Sequence, residues 1–271
     1  MPELLGLDTF SRRRALALLG GGALVVLVGC GSGDDDSTST PDTTTGSPET
    51  TSVTNSSAAG DCTTIPEETA GPFPGDGTNG PDVLAQDGVV RPDITSSFGS
   101  SSTTAEGVPL TIQIDLTDSA GTCGPLAGAA VYVWHCDREG RYSMYSDGAA
   151  DENYLRGVQE SDADGRVTFT SIFPAAYSGR WPHIHFEVYE SVDAATGGGT
   201  RIATSQIALP EDACDEVFVT AGYEQSLRNM QQTSLANDNV FGDDGGVHQL
   251  GTVTGDLSNG YTVQLTVPVA P

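Results

Sequence analysis

Apolar and polar residues alternate with a period of two in much of the chain beyond residue 108. Between residues 110 and 116, Leu110, Ile112 and the two apolar positions that follow alternate with Thr111, Gln113 and Asp115. Because side chains alternate across a strand, this pattern predicts a strand with one buried and one polar face. Similar runs separated by glycine-rich turn signals predict strands at 108–117, 129–136, 166–172, 183–190, 201–209 and 260–269.

Helical periodicity is weak by comparison. No long amphipathic helix is indicated, and short helices are expected only near 152–156 and 222–235. Many short strands with few helices predict an all-β fold, an antiparallel β-sandwich with long loops.

The sequence of the first 60 residues does not indicate a segment that folds around a hydrophobic core. Arginines at 12–14 precede an uncharged stretch at 15–28, which is too short to span a bilayer as a mature helix but suits a signal-peptide core. The arginine pair resembles a twin-arginine export signal, and the following Leu-Val-Gly-Cys resembles a lipobox. We therefore predict a twin-arginine, lipoprotein-type signal peptide at 1–29; an uncleaved N-terminal anchor is the alternative.

Residues 30–60 consist of Cys30 followed by Gly, Ser, Thr, Asp and Pro with almost no apolar content. This composition predicts a disordered linker behind a lipidated cysteine, with residues 61–271 as one domain. The expected location is the outer face of the cytoplasmic membrane, or the cell surface, where Cys30 anchors the protein.

The charge of the chain excludes one class of partner. The formal net charge is −26, with 37 acidic and 11 basic residues, and every basic residue is arginine. Binding of phosphate groups needs clustered positive charge, so nucleic acids and anionic membrane surfaces are not expected partners. Neither the charge nor the order of apolar and polar residues indicates an oligomeric state.

Four cysteines remain once Cys30 is assigned to lipid: Cys62, Cys123, Cys136 and Cys214. An even number in an exported domain favours two disulfides, with three pairings open. Cysteine ligation of a metal is the competing interpretation, and the absence of Cys-x-x-Cys spacing disfavours it.

The predicted strand at 183–190 begins with His183 and His185, whose imidazoles project from the same face. Two neutral imidazoles on one face can bind a single transition-metal ion. Tyrosines Tyr142 and Tyr177 lie nearby in the sequence. A phenol is a poor ligand until deprotonated, but ferric iron is a strong enough Lewis acid to hold it as phenolate.

Segment 128–143, which ends in Gly-Arg-Tyr-Ser, resembles the first iron-tyrosine motif of the intradiol ring-cleavage dioxygenases. Segments 155–159 and 162–177, followed by Arg-x-x-His-x-His at 180–185, resemble the rest of that family's core. The resemblance covers roughly 61–271 and is closest to the protocatechuate 3,4-dioxygenase-like branch.

The resemblance implies an Fe(3+) site with four ligands: Tyr142, Tyr177, His183 and His185. Tyr145 is a nearby alternative to Tyr142, but Tyr142 has the family's Gly-x-Tyr position. Packing is the alternative role for each tyrosine alone.

Arg180 and Gln206 match family positions beside these ligands. An arginine beside a cationic metal site is costly unless an anion also binds, so Arg180 is predicted to stabilise charge on the substrate. A structural ion pair is the alternative for Arg180, and a surface position is the alternative for Gln206. His135 and His248 are interpreted as non-ligands, with His135 as a hydrogen-bonded core histidine.

The resemblance implies a non-haem Fe(III)-dependent intradiol dioxygenase that cleaves a catechol-type ring with O2 to a cis,cis-muconate-type dicarboxylate. Tyr177 would detach from iron and act as general base, while Arg180 and Gln206 stabilise charge. The alternative is a surface lipoprotein that binds iron or a catecholate compound without turnover, and a third possibility is a structural domain with a vestigial site. The sequence does not indicate which catechol is the substrate.

Overall fold

Two four-stranded sheets form the framework of the domain. A computed structural model of the chain describes residues 62–271. The strands are β1 (Pro109–Asp118), β2 (Ala130–Trp134), β3 (Arg156–Glu160), β4 (Arg166–Ile172), β5 (His183–Tyr189), β6 (Arg201–Ala208), β7 (Thr252–Asp256) and β8 (Gly260–Val269). Their order is β4-β1-β8-β7 in one sheet and β3-β2-β5-β6 in the other, which confirms the predicted β-sandwich.

Short helices occupy the connections, as predicted for the fold class. They are α1 (Val192–Thr196), α2 (Glu211–Phe218) and α3 (Glu224–Met230), with a 3-10 turn at Leu235–Asn237. Within residues 62–271, none of these helices has the length and apolar character needed to cross a membrane. The predicted signal peptide at 1–29 and the linker at 30–60 lie outside the described residues and stay predictions.

All six predicted strands are present, with ends that shift by no more than two residues. Strands β3 and β7 were not predicted, because β3 begins with a buried arginine and β7 is a polar, largely exposed edge. The helix expected at 152–156 is wrong: this segment turns into β3, where Arg156 pairs with Trp134. The helix expected near 222–235 corresponds to α3, whereas α1 and α2 were not predicted.

Pairing is antiparallel between all neighbouring strands except β1 and β8. These two run parallel, from Leu110 opposite Tyr261 to Asp118 opposite Val269. β8 reaches this position by a hairpin from β7, which places β8 between β7 and β1. The predicted antiparallel sandwich therefore contains one parallel pair of strands.

The inner faces of the sheets form the main core. Alternate residues of β1, which are Leu110, Ile112, Ile114 and Leu116, are at most 1% exposed, as their spacing predicted. Strand β5 is buried on both faces. Ile184, Phe186 and Val188 of β5 belong to the main core, so the opposite face of β5 presents His183 and His185 beneath the surrounding loops.

Only one of the two expected disulfides is present in the described part of the chain. Cys62 is bonded to Cys123, while Cys136 and Cys214 are buried free thiols. Cys136 packs in the cluster outside the second sheet, whereas Cys214 lies on α2 in the main core. The expectation of a second disulfide is wrong because the sheet separates these two thiols.

Replacement of both Cys62 and Cys123 with serine is expected to lower the free energy of unfolding by about 3 kcal/mol. The bond closes a loop with a sequence separation of 61 residues, so its loss releases the unfolded chain from a long-range constraint. Urea unfolding monitored by tryptophan fluorescence measures the change. A reductant should destabilise the wild type to the level of the double variant and leave the variant itself unaffected; equal stability of both proteins without reductant would contradict this expectation.

Candidate metal centre

Four side chains from three segments converge outside the second sheet. The Tyr142 hydroxyl lies 3.4 Å from the Tyr177 hydroxyl, 3.4 Å from His183 Nε2 and 3.2 Å from His185 Nε2. The Tyr177 hydroxyl lies 3.2 Å from His183 Nε2, and the two Nε2 atoms are 3.1 Å apart. The structure therefore brings together all four residues that the sequence predicted as ligands.

Strand β5 and its neighbours orient the histidines. His183 and His185 are both 2% exposed and project from one face of β5. Trp134 of β2 pairs with His185 across the sheet, and the two rings stack at 4.8 Å with an interplanar angle of 3°. On the other side, Gln206 of β6 pairs with His185. These flanking residues restrict the rotation of the His185 ring.

One hydrogen bond determines the protonation of His183. Its Nδ1 lies 2.6 Å from the carbonyl oxygen of Trp181. A carbonyl oxygen can only accept, so Nδ1 carries the proton and donates it, which leaves the Nε2 lone pair directed at the cluster. Burial, reinforced by the charge of Arg180, lowers the pKa of His183 to about 3. The imidazole is therefore neutral and able to bind a metal at ordinary pH.

His185 is also held neutral. Burial, together with the proximity of His183 and Arg180, lowers its pKa well below the ordinary value. Its Nδ1 is buried and makes no hydrogen bond within the described residues. Gly71 comes close to the same ring in a left-handed conformation with φ of 70°, where a Cβ would lie 3.4 Å from His185 Cε1. A residue other than glycine would therefore be strained at position 71, and its Cβ would contact the His185 ring.

The two phenols are placed where their ionisation needs a cation. Burial, followed by the neighbouring Tyr177, raises the pKa of Tyr142 well above its ordinary value. Burial likewise raises the pKa of Tyr177 to about 12. Two adjacent phenolates in an apolar setting would repel each other, so they are stable only around a strongly Lewis-acidic ion.

The donor set fits ferric iron. Neighbouring donor atoms of the cluster lie 3.1 to 3.4 Å apart, close enough for the four side chains to bind a single ion. Elsewhere in residues 62–271, no group of three or more His, Cys, Asp and Glu side chains could hold a metal. Phenols and imidazoles are ligands that a ferric ion accepts.

Arg180 lies directly beside the cluster. Its Nη1 is 3.5 Å from His183 Nε2, its Nε donates to Asp238 at 2.9 Å, and its Nη2 donates to Gln206 Oε1 at 2.6 Å. Gln206 is fully buried and donates its own amide to the carbonyl oxygen of Thr69, so the surface interpretation of this glutamine is wrong. The ion pair considered as the alternative for Arg180 is present, and it holds the guanidinium next to the donors.

Sequence reasoning missed Asp238. Its side chain is completely buried, and its oxygens accept from Arg180 and from the backbone N–H groups of Trp181, Val240 and Phe241. Burial alone would raise the pKa of Asp238, but these donors outweigh it and the pKa is lowered. It occupies a polar loop segment, and no spacing signal distinguishes it from the other 36 acidic residues.

Arg156 supports the segment that packs against Tyr142. Arg156 lies in β3, is 1% exposed, and donates to the carbonyl oxygens of Phe73 and Pro74. The ring of Phe73 in turn lies 5.1 Å from that of Tyr142. Arg156 thus fixes the segment that packs against Tyr142, the candidate ligand.

Tyr145, His135 and His248 lie outside the group of four converging side chains. The hydroxyl of Tyr145 accepts from the Gly75 N–H and is not one of the four converging donors, which favours Tyr142 as the candidate ligand. His135 is a core histidine as predicted, with ring nitrogens bonded to the Cys136 carbonyl and the Ser171 hydroxyl. His248 is not among the four converging groups either.

Parts of the chain are similar in sequence to known dioxygenases. Residues 80–213 match a family model described as Dioxygenase. The chain is 40% identical over 60 residues to chlorocatechol 1,2-dioxygenase of Rhodococcus opacus, covering 22% of this chain and 23% of that protein. It is 32% identical over 106 residues to catechol 1,2-dioxygenase 2 of Acinetobacter lwoffii, covering 32% and 36%.

A solved structure extends the likeness to the whole domain. The intradiol ring-cleavage dioxygenase from Tetranychus urticae superposes with a TM-score of 0.62 at 25% identity, covering 78% of this chain and 96% of that one. The chain belongs to the intradiol ring-cleavage dioxygenase family. The matched segments span 23% and 36% of the two curated relatives. Within the intradiol family, assignment to the protocatechuate-like branch stays a prediction.

Proposed function

We propose that this protein is a non-haem Fe(III)-dependent intradiol dioxygenase that cleaves a catechol-type ring with O2 to a cis,cis-muconate-type dicarboxylate. The observation that carries the proposal is the convergence of two phenols and two neutral imidazoles, each within 3.4 Å of a neighbouring donor, beside a fixed guanidinium. Membership of the intradiol family supports ring cleavage of catechols.

Tyr142, Tyr177, His183 and His185 would hold the iron. When bound, ferric iron would stabilise the phenolates, promote deprotonation of a catechol and withdraw electron density from its ring, which prepares the ring for attack by O2.

The two tyrosines have different surroundings, and this favours different roles. Tyr142 is 2% exposed and has Phe73, Tyr177 and His185 as ring neighbours. Tyr177 is only partly buried and follows a loop, so it has more freedom to move. Tyr177 as phenolate is therefore the proposed general base that takes a proton from a catechol hydroxyl, while Tyr142 keeps its place.

Arg180 and Gln206 would act on the charge that develops on the substrate. Asp238 and Gln206 fix the guanidinium beside His183, so the guanidinium is already in place before the reaction begins. A preorganised donor of this kind stabilises negative charge on the ring and its oxygens more in the transition state than in the ground state.

Oxygen uptake tests the proposal. Iron-loaded protein is expected to be red-brown from tyrosinate-to-iron charge transfer, to consume oxygen when catechol is added, and to form an equimolar dicarboxylate. Stoichiometric binding of catechol without oxygen uptake would instead favour the alternative of an iron- or catecholate-binding lipoprotein. A colourless iron-loaded protein would contradict tyrosinate ligation.

Replacing Arg180 with alanine is expected to lower kcat/KM by at least about 10²-fold, or about 2.7 kcal/mol of transition-state stabilisation, with iron still bound. The reason is that Arg180 carries a positive charge next to the cluster without being a ligand. Steady-state kinetics and iron content measure the two effects. Arg228→Ala is the control, since Arg228 is bonded to Gln225 on α3. Near wild-type activity in the Arg180 variant would show that the role of Arg180 is purely structural, as the partner of Asp238 in an ion pair.

We also propose that the protein is exported in folded form and anchored through lipid on Cys30. The support is the order of arginine pair, uncharged stretch, lipobox-like segment and polar linker. Cys30→Ala is expected to release the protein from the membrane fraction, and joint replacement of Arg12 and Arg13 with lysine is expected to retain it in the cytoplasm. Normal export of the double-lysine form would require a general secretory route.

A further inference from the structure

Two candidate ligands and Arg180 lie on one short connection between strands. It runs from Tyr177 to His183, the first residue of β5. The connection begins with a turn in which the Arg180 N–H donates to the carbonyl oxygen of Tyr177 at 3.2 Å. Ser178 and Gly179 in this turn are exposed. The position of the connection therefore depends on contacts made by the residues that follow the turn.

A single carboxylate oxygen holds the connection at two points. Oδ2 of Asp238 accepts from Arg180 Nε at 2.9 Å and from the Trp181 N–H at 2.6 Å. The other oxygen, Oδ1, accepts from the N–H groups of Val240 at 2.8 Å and Phe241 at 3.1 Å. The Asp238 side chain is completely buried. Four donors from two segments of the chain thus meet at one charged group.

Trp181 links Asp238 to the candidate ligand His183. The N–H of Trp181 donates to Asp238, and its carbonyl oxygen accepts from His183 Nδ1 at 2.6 Å. The indole of Trp181 donates to the carbonyl oxygen of Leu209 at 2.8 Å, and the Leu209 N–H donates to that of Pro182 at 3.0 Å. A shift of the Trp181 backbone would therefore move the acceptor that orients His183.

Phe241 forms a second link between Asp238 and the same two residues. Its ring lies 6.5 Å from that of His183, and the Arg180 guanidinium carbon lies 6.0 Å from its centroid. Because Asp238 accepts from the Phe241 N–H, the carboxylate also fixes the backbone that carries this ring.

Resting on the proposed function, we propose that Asp238 is a positioning residue of the metal centre, which holds Arg180 and the acceptor of His183 in a fixed relation to each other. Asp238 is not one of the four converging donors, so it acts through Arg180 and Trp181. Groups that orient metal ligands typically contribute about 10- to 100-fold to metal affinity or activity. The contact with Trp181 affects iron retention, and the contact with Arg180 affects turnover.

The test replaces Asp238 with asparagine in the full-length, iron-loaded protein. Asparagine keeps the size of the side chain but removes the charge, and in either orientation its NH2 faces two of the four donors. We expect iron to pass to a ferric chelator about 10- to 100-fold faster, and kcat to fall by at least about tenfold with little change in KM. Asp115→Asn is the control, because Asp115 pairs with Arg166 in the other sheet, and it should change neither quantity.

A double-mutant cycle with Arg180→Ala separates the two contacts. Without Arg180, the further change Asp238→Asn should lower kcat by less than about threefold, because the contact that affects turnover is already lost. It should still accelerate iron release by about the same factor as in the wild type, since that effect is transmitted by Trp181. An equal loss of kcat in both backgrounds would overturn the role of Asp238 toward Arg180, because a general loss of stability acts on both alike.

Circular dichroism and urea unfolding show whether each variant folds. If Asp238→Asn does not fold, Asp238→Glu decides the question, because it keeps the charge but moves the carboxylate by one methylene. Faster iron release and lower kcat in a folded Asp238→Glu protein would support the positioning role. Wild-type iron retention and kcat in either folded variant would overturn it.

The iron measurements do not depend on turnover, so the two proposals can fail separately. Wild-type protein that binds iron but takes up no oxygen with catechol would overturn the dioxygenase activity. Faster iron release from the Asp238→Asn variant would then still support the role of Asp238 toward His183. Failure of the wild type to bind iron would overturn both proposals.

Discussion

Replacing His183 or His185 with glutamine is expected to abolish tight iron binding and to reduce turnover by at least about 10³-fold. Each imidazole contributes one of four donors that lie within 3.4 Å of a neighbouring donor. Because both histidines are held neutral by burial, their lone pairs are available without a competing proton. Glutamine keeps the length of the side chain but replaces the nitrogen donor with an amide, a weak ligand for ferric iron.

Metal analysis after gel filtration and the charge-transfer absorption measure this loss. Tyr142→Phe should likewise weaken iron retention and remove part of the absorption. Tyr145→Phe is the matched control, because Tyr145 is a neighbouring tyrosine that bonds to Gly75. Full iron content and unchanged colour in the His183 variant would show that another group binds the metal.

Replacing Arg156 with methionine is expected to lower the free energy of unfolding by about 3–5 kcal/mol. The guanidinium is 1% exposed and donates to acceptors on Phe73, Pro74, Tyr132 and Ser143. Methionine fills much of the same volume but leaves these buried acceptors without donors, and an unpaired buried acceptor costs the full desolvation energy.

Urea unfolding of the two proteins measures this difference. Arg228→Met is the control, since Arg228 bonds to Gln225 at an exposed position of α3 and its loss should change stability by less than about 1 kcal/mol. A midpoint for Arg156→Met close to that of the wild type would mean that water or a rearranged backbone replaces the lost donors.

The sequence contains the information that determines most strands of this fold. In β1, strict alternation identifies both the strand and the face that becomes buried. In β3, the local pattern does not indicate a strand, because the buried Arg156 depends on acceptors that come from residues 73–74, 132 and 143. Secondary structure that depends on such distant partners cannot be read from a short window.

In the candidate site, too, some features follow from the local sequence and others depend on distant contacts. His183 and His185 are two apart on a strand, so their shared face follows from the sequence alone. Asp238 bonds to Arg180 from a loop 58 residues away in the sequence. The residues next to Asp238 in the sequence do not indicate that contact. The cysteines illustrate the limit further: an even number suggested full pairing, but Cys136 and Cys214 lie in different clusters.

The parallel pairing of β1 with β8 affects how the domain can be made. β1 ends at Asp118, and its partner β8 does not begin until Gly260. During synthesis, β1 cannot pair with β8 until the intervening residues, which include all four candidate ligands, have been added. The sheet that contains β1 and β8 can therefore close only after residue 269 has emerged from the ribosome. Until then Leu110, Ile112 and Ile114 lack one flanking strand, and a chaperone that shields apolar segments would find its target there.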